Sequence, residues 1–347
     1  MIVGIYDPYF HILGGEERYV LSIALCFPRD EVIIFTKDGE LLTKAQKKFN
    51  LELPHVKTEL WSDDRGERNR RLKQLDILFY VTDGSLFFSP APKNILIIQS
   101  PVHIPQPSLK TYIKLTRWQT LLCYSEFVIQ FVQKKLHKTP VTLFVPVELP
   151  KLQTLKKENL IVSVGRFFTQ LHNKKQLEMV SLFKKIYKNG PPDLKLVLIG
   201  SVDPGGEEYF AQVKKESGGF PIEIITNATY EDLKKYYQRA KIYWHAAGFG
   251  ENLEKHPEKA EHFGVSTVEA MSYGVVPVVF GAGGQTEIVI NGENGYIWRT
   301  EQELKKYTIE LLQNEPLRQR IVHAALRSSQ GYSHDKFCQR LYEILEK

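Results

Sequence analysis

Short apolar runs alternate with amphipathic stretches along the whole chain. In the first half we predict strands at IVGIYD, EVIIFT, ILFYVT, NILIIQ, LLCYS and VTLFVP, and in the second at LIVSVG, LKLVLIG, IEIIT, IYWHA, VVPVVF and GYIWR. Helices are predicted at GEERYVLSIALCF, SEFVIQFVQKKLH, KKQLEMVSLFKKIYK, YEDLKKYYQRA and STVEAMSYG. Nearly continuous apolar strands separated by helices are typical of parallel sheets covered on both faces.

The segment ELPKLQTLKKEN, which begins at Glu148, is polar and lysine-rich and has no clear period, so we predict that it is a linker. The fold class is therefore α/β, with two Rossmann-like, doubly wound domains over residues 1–150 and 151–330. Ligands of such sheets bind beyond the carboxyl ends of the strands, so we expect the site in a cleft between the two domains.

Composition changes this picture little. The 347 residues are 43% hydrophobic, and 46 Lys and Arg against 40 Asp and Glu give a net charge of +6. This small excess fits a solvated, lysine-rich surface, and we expect no nucleic-acid partner. Cys26, Cys123 and Cys338 lie far apart without CxxC spacing, which predicts a reducing compartment, no disulfide framework and no zinc site.

The opening residues MIVGIYDPYF lack a basic start and a long apolar run, so we expect a strand here and not a signal peptide. No apolar stretch approaches the roughly 20 residues that span a bilayer. The expected location is the cytoplasm, with the cytoplasmic face of a membrane as the alternative.

The stretch EHFGVSTVEAMSYG predicts a helix whose start could bind an anion. A polar loop ends at Phe263–Gly264, and Val265, Val268 and Met271 follow at the three-residue spacing of one buried helix face. The backbone N–H groups from Gly264 to Thr267 would be free to bind a phosphate.

Two glutamates flank this helix start. Glu261 precedes it, and Glu269 lies about one turn inside. Carboxylates accept hydrogen bonds from sugar hydroxyls, so the arrangement suits a diphosphate between two polyols, as in a nucleotide sugar. The alternative is that both are exposed residues favoured by the helix dipole.

Further signals favour an anion site. Arg166 follows a predicted strand and Lys174 and Lys175 begin the next helix, where cations could neutralise a pyrophosphate, although plain surface lysines are the alternative. Gly283–Gly284, and Gly14–Gly15 near the N-terminus, each connect a strand to a helix, and glycine lets a ligand approach the backbone closely.

Together these segments resemble the retaining glycosyltransferases of family 4, the group 1 glycosyl transferases, which have the GT-B fold. In chain order the matching landmarks are GGEER, VGRFF followed by NKK, EHFGVSTVE, EAMSYGVVPVV, GGQTEIV and NGENGYIW. The resemblance covers essentially the whole chain and is strongest over residues 159–299. It also implies that a terminal helix, residues 331–347, packs back on the first domain.

The resemblance implies a role for each landmark residue. Arg166 and Lys175 would contact the donor diphosphate, with Lys174 as the alternative because both lysines lie farther from Arg166 than in the usual pattern. Glu261 would contact the transferred sugar and Glu269 the ribose. Backbone contacts would come from Gly264, Val265, Ser266 and Thr267.

The resemblance also implies roles for residues outside the strongest landmarks, and among these His103 is matched loosely. Thr226 and Asn227 would lie near the base, and Gly15 would approach the donor or acceptor. His103 corresponds to a histidine that many relatives place near the reacting sugar, and a structural role for it is equally open. His245, at a strand end, is a further candidate for a donor contact.

The implied reaction retains the anomeric configuration, and the departing diphosphate helps to deprotonate the acceptor hydroxyl. The sequence has no Asp-x-Asp motif, so we expect no metal and no cofactor beyond a UDP- or GDP-sugar donor. The rival functions are a nonhydrolysing sugar-nucleotide epimerase, a sugar-nucleotide-binding protein without activity, a glycoside hydrolase and a nicotinamide oxidoreductase suggested by GAGGQTE.

The acceptor, a glycan or a lipid-linked glycan, is not specified by any motif. The segment SLKTYIKLTRWQTLL mixes Leu109, Ile113 and Trp118 with lysines. It predicts an ordinary amphipathic helix packed on the sheet, and peripheral contact with an anionic membrane is the alternative.

Overall fold

The computed structural model describes residues 1–12, 15–150, 156–169 and 173–346. They form two compact units, one of residues 1–146 together with the segment from His334 onward, and one of residues 147–333. The boundaries expected from the sequence were 150 and 330. The central residues of the expected linker, 151–155, lie outside the described residues, while Glu158 and Asn159 already belong to a strand.

The first unit contains a seven-stranded parallel sheet in the order β3-β2-β1-β4-β5-β6-β7. Its strands are β1 (Ile2–Tyr6), β2 (Glu31–Thr36), β3 (Val56–Leu60), β4 (Ile77–Val81), β5 (Lys93–Ile98), β6 (Thr120–Cys123) and β7 (Val141–Thr142). Its helices are α1 (Gly15–Leu25), α2 (Leu41–Phe49), α3 (Arg65–Leu72), α4 (Leu109–Leu115), α5 (Glu126–Leu136) and, after the second unit, α13 (His334–Leu345).

The second unit contains a six-stranded parallel sheet in the order β10-β9-β8-β11-β12-β13. Its strands are β8 (Glu158–Val164), β9 (Lys195–Gly200), β10 (Ile222–Thr226), β11 (Ala240–His245), β12 (Val276–Phe280) and β13 (Tyr296–Trp298). Its helices are α6 (Gln176–Tyr187), α7 (Glu207–Ser217), α8 (Tyr230–Arg239), α9 (Val265–Ser272), α10 (Gln285–Ile288), α11 (Glu301–Gln313) and α12 (Glu315–Gln330). Both sheets have the strand order of the doubly wound fold, as the sequence predicted.

Burial explains which strands the sequence revealed. All five residues of β4, ILFYV, are buried, as expected for a central strand with helices on both faces. By contrast, β3 at the sheet edge has the sequence VKTEL, and only Val56 is buried. The prediction missed this strand because an edge strand needs no continuous apolar run.

A disulfide joins Cys26 to Cys338, with their Cα atoms 5.3 Å apart. The expectation of no disulfide was therefore wrong, and the inference of a reducing compartment from cysteine spacing loses its basis. The two cysteines are 312 residues apart, so only the return of the C-terminal helix to α1 reveals the pairing. Cys123 is a free, buried thiol.

Lys157, immediately before β8, forms hydrogen bonds to the ends of two helices. Its Nζ donates hydrogen bonds to the carbonyl oxygens of Tyr237, near the end of α8, and Tyr273, just after α9, at 2.9 and 2.8 Å. Helix C-termini carry unsatisfied carbonyls that favour a cation. Burial nevertheless lowers the pKa of Lys157 from 10.5 to about 7, and the charge of Arg318 acts in the same direction.

This pKa makes stability depend on pH. The folded protein releases the Lys157 proton near pH 7, whereas the unfolded chain holds it until about pH 10.5, so between these values raising the pH stabilises the fold. We expect the unfolding free energy of the wild type to rise relative to Lys157→Met by about 2 to 3 kcal/mol between pH 7.5 and 9.5. Urea unfolding at each pH measures the difference.

The exposed neighbour Lys156 provides the control. The difference between wild type and Lys156→Met should stay flat over the same range. Parallel pH profiles for the two variants would show that Lys157 does not change its protonation on folding.

Candidate functional site

The loops after β8, β11 and β12 converge at one edge of the second sheet. These strands are adjacent and parallel, so their carboxyl ends lie side by side. The pair β8–β11 is also where the strand order changes direction, the place where doubly wound sheets bind ligands. Arg166 follows β8, His245 ends β11, and Glu261 closes the long loop after β11.

Glu261 is the centre of this edge. One of its carboxylate oxygens, Oε2, accepts a hydrogen bond from Lys174 Nζ at 2.5 Å and lies 2.8 Å from His245 Nε2. The side chains of Lys174 and Glu261 are only 15% and 14% exposed, so water screens this ion pair weakly. Burial lowers the pKa of His245, although the bond to Glu261 opposes this, so His245 is neutral and donates from Nε2.

The neighbouring lysine has a different partner. Lys175 has a left-handed backbone at the start of α6, with φ of 62°, and its buried Nζ binds Glu251 Oε1 at 2.6 Å. Lys259 Nζ binds the other carboxylate oxygen of Glu251, also at 2.6 Å. These bonds to Lys175 and Lys259 lower the pKa of Glu251. Lys174 thus lies with Glu261, while Lys175 anchors the loop after β11.

Arg166 is paired with a carboxylate that the sequence did not single out. Its Nη1 donates to Asp203 Oδ2 at 3.0 Å, and Ser201 Oγ donates to the other oxygen of Asp203 at 2.9 Å. The amide of Gln176 donates to the carbonyls of Gly165 and Arg166, both at 3.1 Å, which fixes the turn after β8. The Arg166 side chain remains 42% exposed and is reachable by a ligand.

Helix α9 begins where the sequence predicted. Gly264 has φ of 117°, a conformation that glycine adopts most readily, and a Cβ there would lie 2.7 Å from Gln285 Nε2. The expectation that the Thr267 N–H is free was wrong, because it donates to the Gly264 carbonyl at 3.0 Å. Helix geometry gives the Val265 and Ser266 N–H groups, in the first turn of α9, no acceptor within the helix. These two groups can therefore bind another acceptor.

The residues of α9 are more buried than those of a helix exposed on the surface would be. Glu269 is 6% exposed, and Tyr237 OH lies 3.5 Å from its Oε2. The alternative of an exposed Glu269 is therefore wrong. Val265, expected on the buried face, is only half-buried, while Val268 and Met271 are fully buried.

The glycines before α10 have a different role from the one expected. A Cβ on Gly283 would lie 2.0 Å from the Glu261 carbonyl oxygen, and one on Gly284 would lie 2.6 Å from the His262 carbonyl oxygen. The Gly284 N–H donates to the Glu261 carbonyl at 2.8 Å. Glycine is required at both positions because the backbone of this loop packs against them, and this packing positions the Glu261 carboxylate. Close approach of a ligand, the expected reason for these glycines, is not needed to explain them.

The remaining predicted positions are Thr226 and Asn227 in the second unit and Gly15 and His103 in the first. Thr226 ends the edge strand β10 and is half-buried, and Asn227 after it is exposed with φ of 59°. In the first unit, Gly15 begins α1 and His103 ends a short 3-10 helix after β5. The His103 ring stacks on Tyr9 at 5.5 Å, and burial lowers the pKa of His103.

Three buried side chains at this edge have polar atoms with no hydrogen-bond partner among the residues that the structure describes. The atoms are His245 Nδ1, Thr267 Oγ1 and both amide atoms of Gln285. An unsatisfied buried polar group is costly and uncommon in native proteins. Gln285 was missed as a site residue because a single glutamine in GGQTEIV gives no signal of where its amide lies.

Comparisons with known proteins point to sugar transfer. The family model described as glycosyl transferases group 1 matches residues 146–327. The GDP-Man:Man(3)GlcNAc(2)-PP-Dol alpha-1,2-mannosyltransferase of Xenopus laevis is 30% identical over 142 residues, 40% of this chain and 27% of the relative. The glycogen synthase of Caldicellulosiruptor bescii is 26% identical over 210 residues, 57% of this chain and 41% of the relative. The matched stretches thus span less than half of these curated relatives.

A solved structure matches nearly the whole chain. Anabaena HepE in complex with UDP and glucose superposes with a TM-score of 0.78 at 17% identity, covering 100% of this chain and 99% of that one. At this identity the likeness shows the fold alone, and it confirms the fold class predicted from the sequence.

The role of Gly283 can be tested against a matched glycine. Gly292 has a similar positive φ, 78° against 63°, but a Cβ there would meet no atom within 4 Å among the described residues. Gly292→Ala should cost about 1 kcal/mol of unfolding free energy through backbone strain. Gly283→Ala should cost at least about 2 kcal/mol more, because the Glu261 backbone must move. Equal losses in urea unfolding would contradict this packing.

Proposed function

Because the chain belongs to the glycosyl transferases group 1, we propose that it transfers a hexose from a UDP- or GDP-sugar to a glycan or lipid-linked acceptor. The observation that carries the proposal is the partly buried cluster of Glu261, Lys174 and His245 beside the start of α9. It offers a carboxylate for sugar hydroxyls, and next to it a cation and helix N–H groups for phosphates.

The proposed donor pose follows from these charges. The hexose lies against Glu261, and the diphosphate lies at the N–H groups of Val265 and Ser266, with Lys174 and Arg166 around it. Glu269, buried on the next turn of α9, accepts hydrogen bonds from the ribose. The unsatisfied polar atoms of His245 and Gln285 lie at this edge and support a polar ligand that would complete their hydrogen bonds.

The choice between the two lysines follows from their partners. Lys174 already lies on Glu261, whereas Lys175 is held by Glu251 in the loop after β11. We therefore assign the phosphate contact to Lys174 and a loop-anchoring role to Lys175, the reverse of the first expectation from the resemblance.

In the proposed mechanism, charge develops on the leaving diphosphate as its bond to the anomeric carbon breaks. Arg166, Lys174 and the first-turn amides stabilise that charge, and electrostatic stabilisation of this kind is usually the largest single contribution to catalysis. The diphosphate oxygen takes the proton of the acceptor hydroxyl, which attacks from the same face, so the anomeric configuration is retained. We propose that this reaction needs no metal, because these cationic groups already balance the diphosphate.

Membrane contact is proposed for the acceptor side. In α4 of the first unit, Leu115 is buried, while Leu109 and Ile113 are 80% and 53% exposed. Lys110 and Lys114 lie on the same helix, and residues 84–125 contain no Asp or Glu. An exposed apolar pair on a lysine-bearing helix, within a segment that contains no acidic residue, fits the interface of an anionic bilayer, where a lipid-linked acceptor would reside. Among the described residues, no helix has the length and apolar character needed to cross a bilayer.

The donor site is tested by substitutions that remove its charged side chains one at a time. Glu269→Gln, Arg166→Ala and Lys174→Met should each lower kcat/KM for the nucleotide sugar at least tenfold, about 1.4 kcal/mol, because each removes a contact to the donor. Lys175→Met should have a smaller effect. A thermal-shift panel of UDP-, GDP-, ADP- and dTDP-sugars first identifies the donor, since a tight ligand raises the melting temperature.

Several outcomes would overturn this assignment. Unchanged kinetics in Glu269→Gln and Arg166→Ala would remove the donor site. Interconversion of two nucleotide sugars without an acceptor would favour the epimerase. A larger loss in Lys175→Met than in Lys174→Met would reverse the assignment of the lysines.

The membrane contact is tested with vesicles. The double variant Leu109→Ser/Ile113→Ser should bind vesicles containing phosphatidylglycerol at least about fivefold more weakly than the wild type, because two aliphatic side chains no longer enter the interface. Ile290, 54% exposed in the second unit, is the matched control, and Ile290→Ser should bind as the wild type does. Equal co-sedimentation of all three proteins would contradict the proposed surface.

A further inference from the structure

The C-terminal segment carries a cluster of reactive side chains that the proposed reaction does not use. The disulfide between Cys26 and Cys338 joins the residue after α1 to the middle of α13. His334 lies one turn before Cys338 on α13, with its Nδ1 3.7 Å from Cys338 Sγ and its Nε2 3.9 Å from Cys26 Sγ. Sulfur and imidazole thus meet at one contact between the two helices.

The disulfide lies at an important place in the chain. The chain leaves the first unit after Pro146 and returns at His334, so the bond closes a covalent ring that includes the entire second unit. Without it, α13 is held on the first unit by the buried side chains of Phe337, Leu341 and Ile344, together with the hydrogen bond from Tyr342 OH to the Cys26 carbonyl.

The surroundings suit thiol–disulfide exchange. Cys26 is buried, but Cys338 and His334 are only half-buried, so Cys338 is the cysteine of the pair that is more open to solvent and to a small thiol. His334 Nε2 donates to the Ser22 carbonyl oxygen at 3.0 Å, which leaves Nδ1 as the nitrogen that can accept a proton. Both ring nitrogens lie close to Cys338 Sγ, Nε2 at 3.5 Å and Nδ1 at 3.7 Å. A base beside a thiol favours the thiolate, the reactive form in exchange.

We propose that Cys26 and Cys338 form a reversible redox clamp that fixes α13 against α1 when oxidised and loosens it when reduced. Reduction consumes two small-molecule thiols of the glutathione type. One thiolate attacks Cys338 Sγ and breaks the S–S bond, and Cys26 leaves as a thiolate that takes a proton. The second thiol attacks the mixed disulfide, which releases Cys338 and one small-molecule disulfide. Two electrons and two protons are transferred in all, and His334 Nδ1 exchanges the proton of Cys338.

This inference is independent of the proposed sugar transfer. It concerns the attachment of α13 to α1, and it would hold whatever ligand the second unit binds. Its readouts are thiol state and helix release, so its failure would leave the donor-site assignment untouched.

The first test counts thiols in the full chain. The protein is equilibrated in glutathione buffers from reducing to oxidising, with a chelator present because two thiolates and an imidazole could hold a metal ion. Alkylation and peptide mapping should show Cys26 and Cys338 oxidising together, while Cys123 stays a thiol. Two free thiols at Cys26 and Cys338 in the most oxidising buffer, with the protein folded, would overturn the proposal.

The second test follows the helix. Trypsin can cut α13 after Lys336 and Arg340, and we expect these cuts to be about tenfold faster in the reduced wild type than in the oxidised one. Cys123→Ala should keep this redox response, and Cys26→Ser should lose it and behave as the reduced protein does. Equal cleavage rates in the two redox states of the wild type would overturn the clamp, even if the variants fail to fold.

The role of His334 has its own readout. His334→Asn should slow the exchange with glutathione about tenfold while the final ratio of disulfide to thiol stays the same. An unchanged rate would remove His334 from the exchange step.

Discussion

The ion pair between Glu261 and Lys174 is the interaction on which the candidate site depends. A carboxylate this buried is stable only when it is bound by a cation or by hydrogen-bond donors, and here Lys174 and His245 both meet the same oxygen. The fold supplies these partners from different loops. His245 ends β11, and Lys174 comes from the loop after β8. The backbone of Glu261 packs against Gly283 and Gly284.

Much of the fold could be predicted from the sequence, because buried parallel strands need continuous apolar runs. Every predicted strand overlaps an observed one, and α5, α6, α8 and α9 lie where their patterns placed them. The edge strand β3 was missed because its polar residues face solvent. The disulfide was missed because a pairing across 312 residues depends on tertiary structure and leaves no local spacing.

The sequence indicated which residues belong to the candidate site better than it indicated which contacts they make. Glu261, Glu269 and Arg166 could be chosen because carboxylates and a cation flank a predicted helix start. Their partners could not, since Asp203 and Glu251 lie in loops of ordinary polar composition and gain meaning only from the side chains they meet. The two lysines illustrate the limit. They are adjacent in sequence, yet the left-handed backbone at Lys175 sends their ammonium groups to different carboxylates.

The most direct test of the central claim is a crystal structure of the protein with the UDP- or GDP-sugar that it binds most tightly. The account predicts the hexose hydroxyls on Glu261, the diphosphate beside Lys174 and the first turn of α9, and the ribose on Glu269. Clear density for the nucleotide sugar elsewhere, with the Glu261–Lys174 pair untouched, would contradict it.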